Sequence, residues 1–235
     1  MNRSILGQHV EVSSRFRSID RLREELMVAR NVADTAEFFS PDFGHLHDPF
    51  LLPGMEAAVE RIFLARDRHE RVVVFGDYDV DGISSTALLV RFFHRHGVEI
   101  SYRLPDRAKD GYGFKPHFLP DLAEAQVGLV ITVDCGTRDI DTIAGAVARG
   151  IDVIVTDHHH VPERVPEEVV ALLNPRLPGT SYPFPHLAGS GVAFKLLHAC
   201  LLRLYPHDPA RVRRELARYC DIATLGTIAD CMPLV

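Results

Sequence analysis

Three aspartates stand at alternate positions in the segment Gly-Asp-Tyr-Asp-Val-Asp-Gly at residues 76–82: Asp77, Asp79 and Asp81. Carboxylates this close repel one another, so they ionise together only beside a counter-charge. A divalent cation is the simplest counter-charge, and all-oxygen ligation suits Mg²⁺ or Mn²⁺. The alternative is an acidic, solvated turn, and the segment alone does not decide between the two interpretations.

The aspartates follow a strand-like apolar run, and two further runs of this kind also end in potential metal ligands. Strands are predicted at residues 71–76, 128–133 and 151–156. Parallel strands end at one edge of a sheet, so the groups that follow them are expected to converge there. The groups that follow the second and third strands are Asp134, then Asp157, His158, His159 and His160.

Asp230 adds another carboxylate, in the apolar segment Leu-Gly-Thr-Ile-Ala-Asp near the end of the sequence. If buried, it needs a partner. Together these side chains are enough to hold two cations that share Asp134, an arrangement used for in-line displacement at phosphorus. Each group also has a simpler interpretation: Asp134 could cap a helix, Asp157 could open a turn, and the histidines could form a polar loop.

The pattern between the strands predicts an α/β fold with a mostly parallel sheet flanked by helices. Gly97 and Gly150 follow two predicted helices as C-terminal stops. Residues 1–50 are predicted to form a short helical N-terminal extension, and residues 51–235 one larger domain. The predicted helices cover residues 18–29, 54–66, 83–96, 116–125, 138–149, 191–204, 209–219 and 220–229, and two more strands cover 98–103 and 169–173.

At these positions the sequence resembles the DHH phosphoesterase superfamily and, within it, the RecJ-type single-stranded-DNA exonucleases. The motifs that carry the resemblance are G-D-Y-D-V-D-G at 76–82, V-D-C-G at 133–136, T-D-H-H at 156–159 and G-T-I-A-D at 226–230. The stretches L-H-D-P-F-L at 46–51, G-Y-G at 111–113 and L-A-G-S-G-V-A-F-K at 187–195 support the narrower family. The resemblance implies that residues 51–235 form the DHH phosphoesterase catalytic domain, without the second, substrate-binding subdomain of that family.

The resemblance also implies the roles of individual residues. One metal site would use Asp77, Asp79 and Asp134, and the other Asp81, Asp134, His158 and Asp230. The expected cofactors are two divalent cations, manganese or magnesium. The expected catalytic residues are Asp134, Asp157, which would orient its histidine neighbours, and His159, which would stabilise the transition state. Thr137-Arg138-Asp139 replaces the polar pair that the family has after V-D-C-G, a departure that affects the expected capping of the next helix.

Substrate contacts are expected in the loop at residues 104–114, which precedes the strand predicted at 128–133. Arg107 resembles a phosphate-contacting arginine of RecJ-type enzymes, and His159 would contact the same phosphate. Tyr112 could stack on a base, or it could pack the loop between its two glycines. Arg103 and Lys109 are further phosphate candidates. His160 is interpreted as a surface residue. The basic helix face could contact DNA, but a run of charges is more often simply solvated; its residues are Arg211, Arg213, Arg214 and Arg218.

The resemblance implies a two-metal-dependent 5′-to-3′ exonuclease acting on single-stranded DNA, as in recombination and repair, with a single-strand-binding protein or a helicase as possible partners. One alternative is another DHH-type phosphodiesterase, acting on short oligonucleotides or cyclic dinucleotides. The other is a non-catalytic scaffold. A nuclease assay on single-stranded DNA and a measurement of the metal content would distinguish these three hypotheses.

The composition agrees with a globular protein of this kind. The 235 residues are 46% hydrophobic and 25% charged, and the net charge of −6 argues against strong non-specific binding to polyanions. No apolar run approaches the roughly 18 residues of a membrane-spanning helix, and no signal peptide is recognised. The four cysteines lack metal-knuckle or redox spacing. We therefore expect a cytoplasmic protein with reduced thiols and no membrane anchor.

Overall fold

The computed structural model describes residues 19–30, 32 and 38–234. The chain divides into two compact units, Met1–Leu46 and His47–Val235. The first unit contains helix α1, Ile19–Ala29, and a 3₁₀ turn at Phe43–His45. Of the helical extension predicted for residues 1–50, residues 1–18, 31 and 33–37 lie outside the described part, and so does the last residue of the predicted larger domain, Val235.

The second unit alternates helices and strands along the chain. The helices are α2 Met55–Asp67, α3 Val80–Arg95, α4 Leu119–Glu124, α5 Ile140–Val147, α6 Gly189–Leu204, α7 Pro209–Leu216 and α8 Cys220–Ala229. The strands are β1 Arg71–Gly76, β2 Ile100–Arg103, β3 Val127–Val133, β4 Asp152–Thr156 and β5 Ala171–Leu173. Short 3₁₀ turns lie at Pro49–Leu51 and Pro116–Phe118.

The five strands form one sheet in the order β2-β1-β3-β4-β5, and every neighbouring pair is parallel. The predicted α/β fold with a parallel sheet is confirmed. The apolar residues of β1, β3 and β4 are buried on both faces of the sheet, as expected for strands covered by helices on both sides. Helices α4 and α5 cover one face through Leu119, Leu122 and Ile143, and α3, α6 and α8 pack against one another.

Several predicted boundaries were wrong. Helix α3 begins three residues earlier than predicted, at Val80, because the Asp79 carboxylate caps it by accepting a hydrogen bond from the Gly82 N–H at 2.9 Å. The single helix predicted at 116–125 is a 3₁₀ turn followed by α4, since Pro120 has no N–H to continue the first turn. The other differences are small: β2, β5, α5 and α7 are shorter than predicted, and α6 begins two residues earlier, at Gly189.

The amino-terminal edge of the sheet carries an internal ion-pair network centred on Arg61 of α2. Its Nε donates to Asp152 at the start of β4 at 2.5 Å, and its Nη2 donates to Glu70, just before β1, at 2.5 Å. Nη2 also donates to the Gly128 carbonyl of β3 at 3.2 Å. The network therefore links α2 to three neighbouring strands.

Candidate metal centre

The β1–α3 junction supplies three aspartates to the carboxyl-terminal edge of the sheet. Asp77 follows β1 directly and is buried. Asp79 is exposed at the N-cap of α3, and Asp81 is buried in the first turn of that helix. A strand ends and a helix begins within these few residues, so the end of the strand, the helix cap and the first helical turn each supply one carboxylate.

Asp134 occupies the corresponding position after β3. Its φ of +60° lies in the left-handed region, which aspartate and asparagine tolerate better than most residues. The Asp134 N–H donates to the Thr156 carbonyl at the end of β4 at 2.9 Å, which fixes this turn. Gly189, the first residue of α6, lies so close that a Cβ there would come within 2.7 Å of the Asp134 Cβ.

Asp81 is held by the N-terminus of α6. Its Oδ2 accepts the Gly189 N–H at 2.6 Å, and its Oδ1 accepts the Ser190 N–H at 2.9 Å. A helix N-terminus stabilises a carboxylate through its free N–H groups and its dipole. On the other side, a Cβ at Gly226 of α8 would lie 2.3 Å from Asp81 Oδ1. Gly189 and Gly226 therefore let two helices approach the ligands, a role that sequence reasoning missed; its only signal was glycine within two helical patterns.

His158 and Asp230 complete the cluster. His158 Nε2 lies 3.1 Å from Asp134 Oδ1, 3.6 Å from Asp230 Oδ2 and 3.8 Å from Asp81 Oδ2. Asp230 is the C-cap residue of α8. The structure thus brings together all six predicted metal ligands. Their donor atoms, with those of His159, form three groups within which all atoms lie within 4.8 Å of one another: Asp77, Asp79 and Asp134; Asp81, His158 and Asp230; and Asp134, His158 and His159.

Four buried donor atoms of this cluster have no hydrogen-bond partner within the described ranges: Asp77 Oδ1, Asp134 Oδ1 and both ring nitrogens of His158. A buried polar atom without a partner costs free energy, and such atoms are rare in native proteins. Asp134 Oδ1 and His158 Nε2 are only 3.1 Å apart, yet their geometry forms no hydrogen bond. Two electron-pair donors placed in this way fit a cation that both could coordinate.

The protonation behaviour of the carboxylates agrees with this picture. Burial raises the pKa of Asp134 to about 10, with a further contribution from the neighbouring Asp81 and Asp79 charges. Burial also raises the pKa of Asp77 and of Asp230. The centre therefore resists the accumulation of negative charge unless a cation compensates it.

Asp157 and His159 form an internally balanced pair beside the cluster. Asp157 Oδ1 accepts the His158 N–H at 2.7 Å, the His159 N–H at 3.0 Å and a hydrogen bond from His159 Nδ1 at 2.8 Å. Burial acts to raise the pKa of Asp157, but the hydrogen bonds from His159 and Thr137 lower it to about 2. The hydrogen bond to Asp157 in turn raises the pKa of His159. Asp157 thus orients the His159 ring and holds the backbone of His158.

Tyr112 lies against His159. Its hydroxyl is 3.2 Å from His159 Nδ1 and donates to the Asp134 carbonyl at 3.3 Å, and the two rings meet nearly edge to face with centroids 5.6 Å apart. Arg107 is exposed, and its guanidinium lies 5.4 Å from the centre of the Tyr78 ring. Tyr78 is the residue between Asp77 and Asp79 in the sequence. Arg103 and Lys109 are exposed, and His160 is exposed beside His159.

A cleft on the histidine side of the centre contains residues to which sequence reasoning gave no role. Arg138 and Arg176 line it together with Tyr112, His159 and His160. The Asp139 carboxylate does not cap α5 but accepts the Phe114 N–H at 2.8 Å. The Thr137-Arg138-Asp139 segment therefore leaves α5 without a side-chain N-cap and places a cation in the cleft.

The remaining sequence candidates lie apart from this cluster. Cys135 follows Asp134 but is fully buried, and burial raises the pKa of its thiol. The basic run on and after α7 is exposed at each of its arginines, Arg211, Arg213, Arg214 and Arg218. No described helix is both long and apolar enough to cross a lipid bilayer.

The sequence profile of the DHH family N-terminal domain matches residues 71–227, which include every clustered ligand except Asp230. The chain belongs to the DHH family. Over 220 residues it is 38% identical to the single-stranded-DNA-specific exonuclease RecJ of Bacillus subtilis, a match that covers 92% of this chain and 26% of that protein.

Solved structures of RecJ show the same fold. A crystal structure of exonuclease RecJ bound to manganese matches with a TM-score of 0.68 and 34% identity, over 78% of this chain and 44% of the other. RecJ from Thermus thermophilus in complex with Mg²⁺ matches with a TM-score of 0.56 and 29% identity, over 88% of this chain and 24% of the other. The chain therefore spans between about a quarter and less than half the length of these relatives.

Proposed function

We propose that this chain is the catalytic DHH portion of a two-metal-dependent exonuclease that hydrolyses single-stranded DNA from its 5′ end. The observation that carries the proposal is the meeting of six ligands at one sheet edge, with four buried donor atoms lacking partners among the described residues. The similarity to RecJ exonucleases supports the substrate class, and the RecJ complexes with Mn²⁺ and Mg²⁺ support the cofactors.

The side chains fit two divalent cations, manganese or magnesium. Asp77, Asp79 and Asp134 would hold one cation, while Asp81, Asp134, His158 and Asp230 would hold the other. Oxygen donors with a single imidazole are a ligand set that suits these metals. When bound, such a pair supplies an activated water and stabilises negative charge on phosphoryl oxygens.

His159 and Asp157 would act on the substrate phosphate. Because His159 Nδ1 is engaged by Asp157, Nε2 is the nitrogen available to donate a hydrogen bond to a phosphoryl oxygen. Asp157 keeps the imidazole oriented and favours its charged form, which strengthens that hydrogen bond as charge develops. Tyr112 would steady the same imidazole or stack on a base, and Arg107 would contact a phosphate near Asp77 and Asp79.

The proposed setting is the cytoplasm, where the activity would serve DNA recombination and repair. All four cysteines are free thiols, which is compatible with a reducing compartment. Contact with a single-strand-binding protein or a helicase stays a prediction.

The test uses a single-stranded oligonucleotide with a fluorescent label at its 3′ end, incubated with the purified chain and Mn²⁺. We expect a ladder of labelled products that shorten progressively from the 5′ end, and no products in EDTA. A bulky streptavidin block at a 5′ biotin should stop degradation, whereas the same block at the 3′ end should not. Internal cleavage, EDTA-resistant cleavage or degradation from the 3′ end would contradict the proposal.

A further inference from the structure

The cleft beside His159 carries a positive charge that the metal centre does not use. Arg138 and Arg176 line it from two separate loops, and both are exposed. Within the part of the chain that the structure describes, no carboxylate lies within 4.0 Å of either guanidinium. An arginine pair without an internal acidic partner is suited to bind an anion, and phosphate is the anion whose geometry arginine matches best.

The backbone that carries the two arginines is rigidly tied to His159. Asn174 is fully buried, and its Nδ2 donates to Thr137 Oγ1 at 3.2 Å and to the His159 carbonyl at 3.0 Å. Its Oδ1 accepts the Arg176 N–H at 2.9 Å. Asn174 thus joins the segment before Arg138, the backbone of His159 and the start of the Arg176 loop, so the spacing between these backbone segments is fixed.

The Arg176 side chain is itself positioned by a loop contact. Its Nε donates to the Pro185 carbonyl at 3.3 Å. This neutral acceptor orients the guanidinium without cancelling its charge, so the two terminal nitrogens stay available for an anion.

The acidic groups near the cleft do not cancel its charge either. Asp157 is occupied by its hydrogen bonds from His159 and from the Thr137 N–H at 2.9 Å. Asp139 accepts the Phe114 N–H, and burial raises the pKa of its carboxyl. Arg107, by contrast, contacts the Tyr78 ring and is not among the described residues that line this cleft.

We propose that Arg138 and Arg176 form a phosphate subsite, which binds a phosphodiester of the single strand next to the one that is hydrolysed. The proposal rests on the proposed function, since it assumes that the strand crosses the metal centre. Tyr112, 39% exposed at the same cleft, offers a ring for the intervening nucleotide.

The kinetic test compares a substrate that has several phosphodiesters with one that has a single phosphodiester. Arg138→Gln, Arg176→Gln and the double variant are assayed with Mn²⁺ on a 5′-phosphorylated thymidine tetranucleotide and on bis(p-nitrophenyl) phosphate. Arg149→Gln is the matched control, because Arg149 follows α5, just before β4 begins, and its hydrogen bond among the described residues is a local one to the Gly145 carbonyl.

We expect kcat/KM on the tetranucleotide to fall about tenfold in each single variant, mainly through KM, with a clearly smaller fall on bis(p-nitrophenyl) phosphate. Arg138→Lys should recover part of the loss, and Arg149→Gln should change neither substrate by more than about twofold. Equal losses on the two substrates, or no loss on the tetranucleotide, would overturn the subsite.

A binding measurement separates this proposal from the proposed function. If the wild-type chain hydrolyses neither substrate with Mn²⁺, the proposed function fails, and fluorescence anisotropy with a labelled oligo-thymidine strand then decides the subsite. Each arginine substitution should weaken binding and reduce the slope of log affinity against log salt by about 0.7. Wild-type affinity and slope in both variants, or no binding by the wild-type chain, would refute the subsite.

Discussion

Buried and partly buried charges lie at both edges of the sheet, and the two edges balance them in different ways. At the amino-terminal edge, Arg61 bonds to Glu70 and Asp152, so the acidic groups there have a cation supplied by the chain itself. At the carboxyl-terminal edge, five aspartates and His158 form a cluster of potential ligands, and several of their buried atoms lack partners among the described residues. The acidic groups of the first edge therefore have their counter-charge as folded, although Arg61 Nη1 is itself buried without a partner among the described residues, whereas the second edge requires a cation from solution.

The largest expected effect comes from removing a metal ligand at the carboxyl-terminal edge of the sheet. Asp134→Asn removes the carboxylate that both proposed sites share, while asparagine tolerates the same positive φ and carries no charge. We expect the rate of Mn²⁺-dependent hydrolysis to fall by about 10³-fold or more, with the free energy of unfolding in EDTA near neutral pH at least as high as that of wild type, because the variant lacks a carboxylate whose burial is unfavourable. Steady-state kinetics and urea denaturation measure the two quantities. A variant that is inactive because it is unfolded would not support the comparison.

His159→Gln tests whether residues of the carboxyl-terminal edge that are not metal ligands can be lost without loss of metal binding. His159 is the group at this edge that does have an internal counter-charge, Asp157, so its loss should leave metal binding largely intact. We expect kcat to fall by about 10²-fold, as for removal of a residue that stabilises transition-state charge. Mn²⁺ content by mass spectrometry is the control, and a variant without bound metal would show that His159 is instead needed for the metal site.

Arg61→Met removes the ion-pair network at the amino-terminal edge of the sheet instead. It leaves Glu70 and Asp152 without their cation while keeping most of the side-chain volume. We expect the free energy of unfolding to fall by about 2 kcal/mol, since the partners are partly exposed, and kcat per folded molecule to stay within about twofold. Chemical denaturation and kinetics on the same preparation test this. A loss of turnover with an unchanged free energy of unfolding would contradict the proposal that the amino-terminal edge stabilises the fold and does not take part in catalysis.

The pH dependence of stability in EDTA gives a smaller effect with a defined sign. Burial raises the pKa of Asp134 from 3.8 to about 10, so the fold favours the protonated carboxyl. The associated stabilisation is complete below pH 3.8 and is lost as pH rises toward 10. Between about pH 5 and about pH 8 the wild-type chain should lose about 1 kcal/mol or more of unfolding free energy relative to Asp134→Asn. Parallel pH dependences in the two proteins would show that Asp134 is not buried without a counter-charge.

The fold and the position of the site could be predicted because both depend on local sequence patterns. The apolar runs before Asp77 and Asp134 identify buried strands, and parallel strands place the residues that follow them at one edge. Gly97 and Gly150 stop helices with φ of +77° and +75°, as predicted. These features need no knowledge of distant contacts.

The remaining features depend on tertiary contacts and were not predictable in this way. The predicted start of α3 was three residues too late: in the fold the Gly82 N–H binds the Asp79 cap, and the Gly82 Cα lies against the Asp77 backbone. The contacts of Asp81 with Gly189 and Ser190 join residues more than 100 positions apart. The loops that carry the two cleft arginines are joined by the hydrogen bonds of Asn174 with Thr137 and with the Arg176 N–H.

The measurement that tests the central claim most directly is the stoichiometry and affinity of Mn²⁺, by isothermal titration calorimetry, in wild type, Asp134→Asn and Arg61→Met. The wild-type chain and Arg61→Met should each bind two ions, and Asp134→Asn should lose at least one of them. Failure of the wild-type chain to bind Mn²⁺, or equal binding by wild type and Asp134→Asn, would contradict the claim that the carboxyl-terminal edge takes its counter-charge from solution.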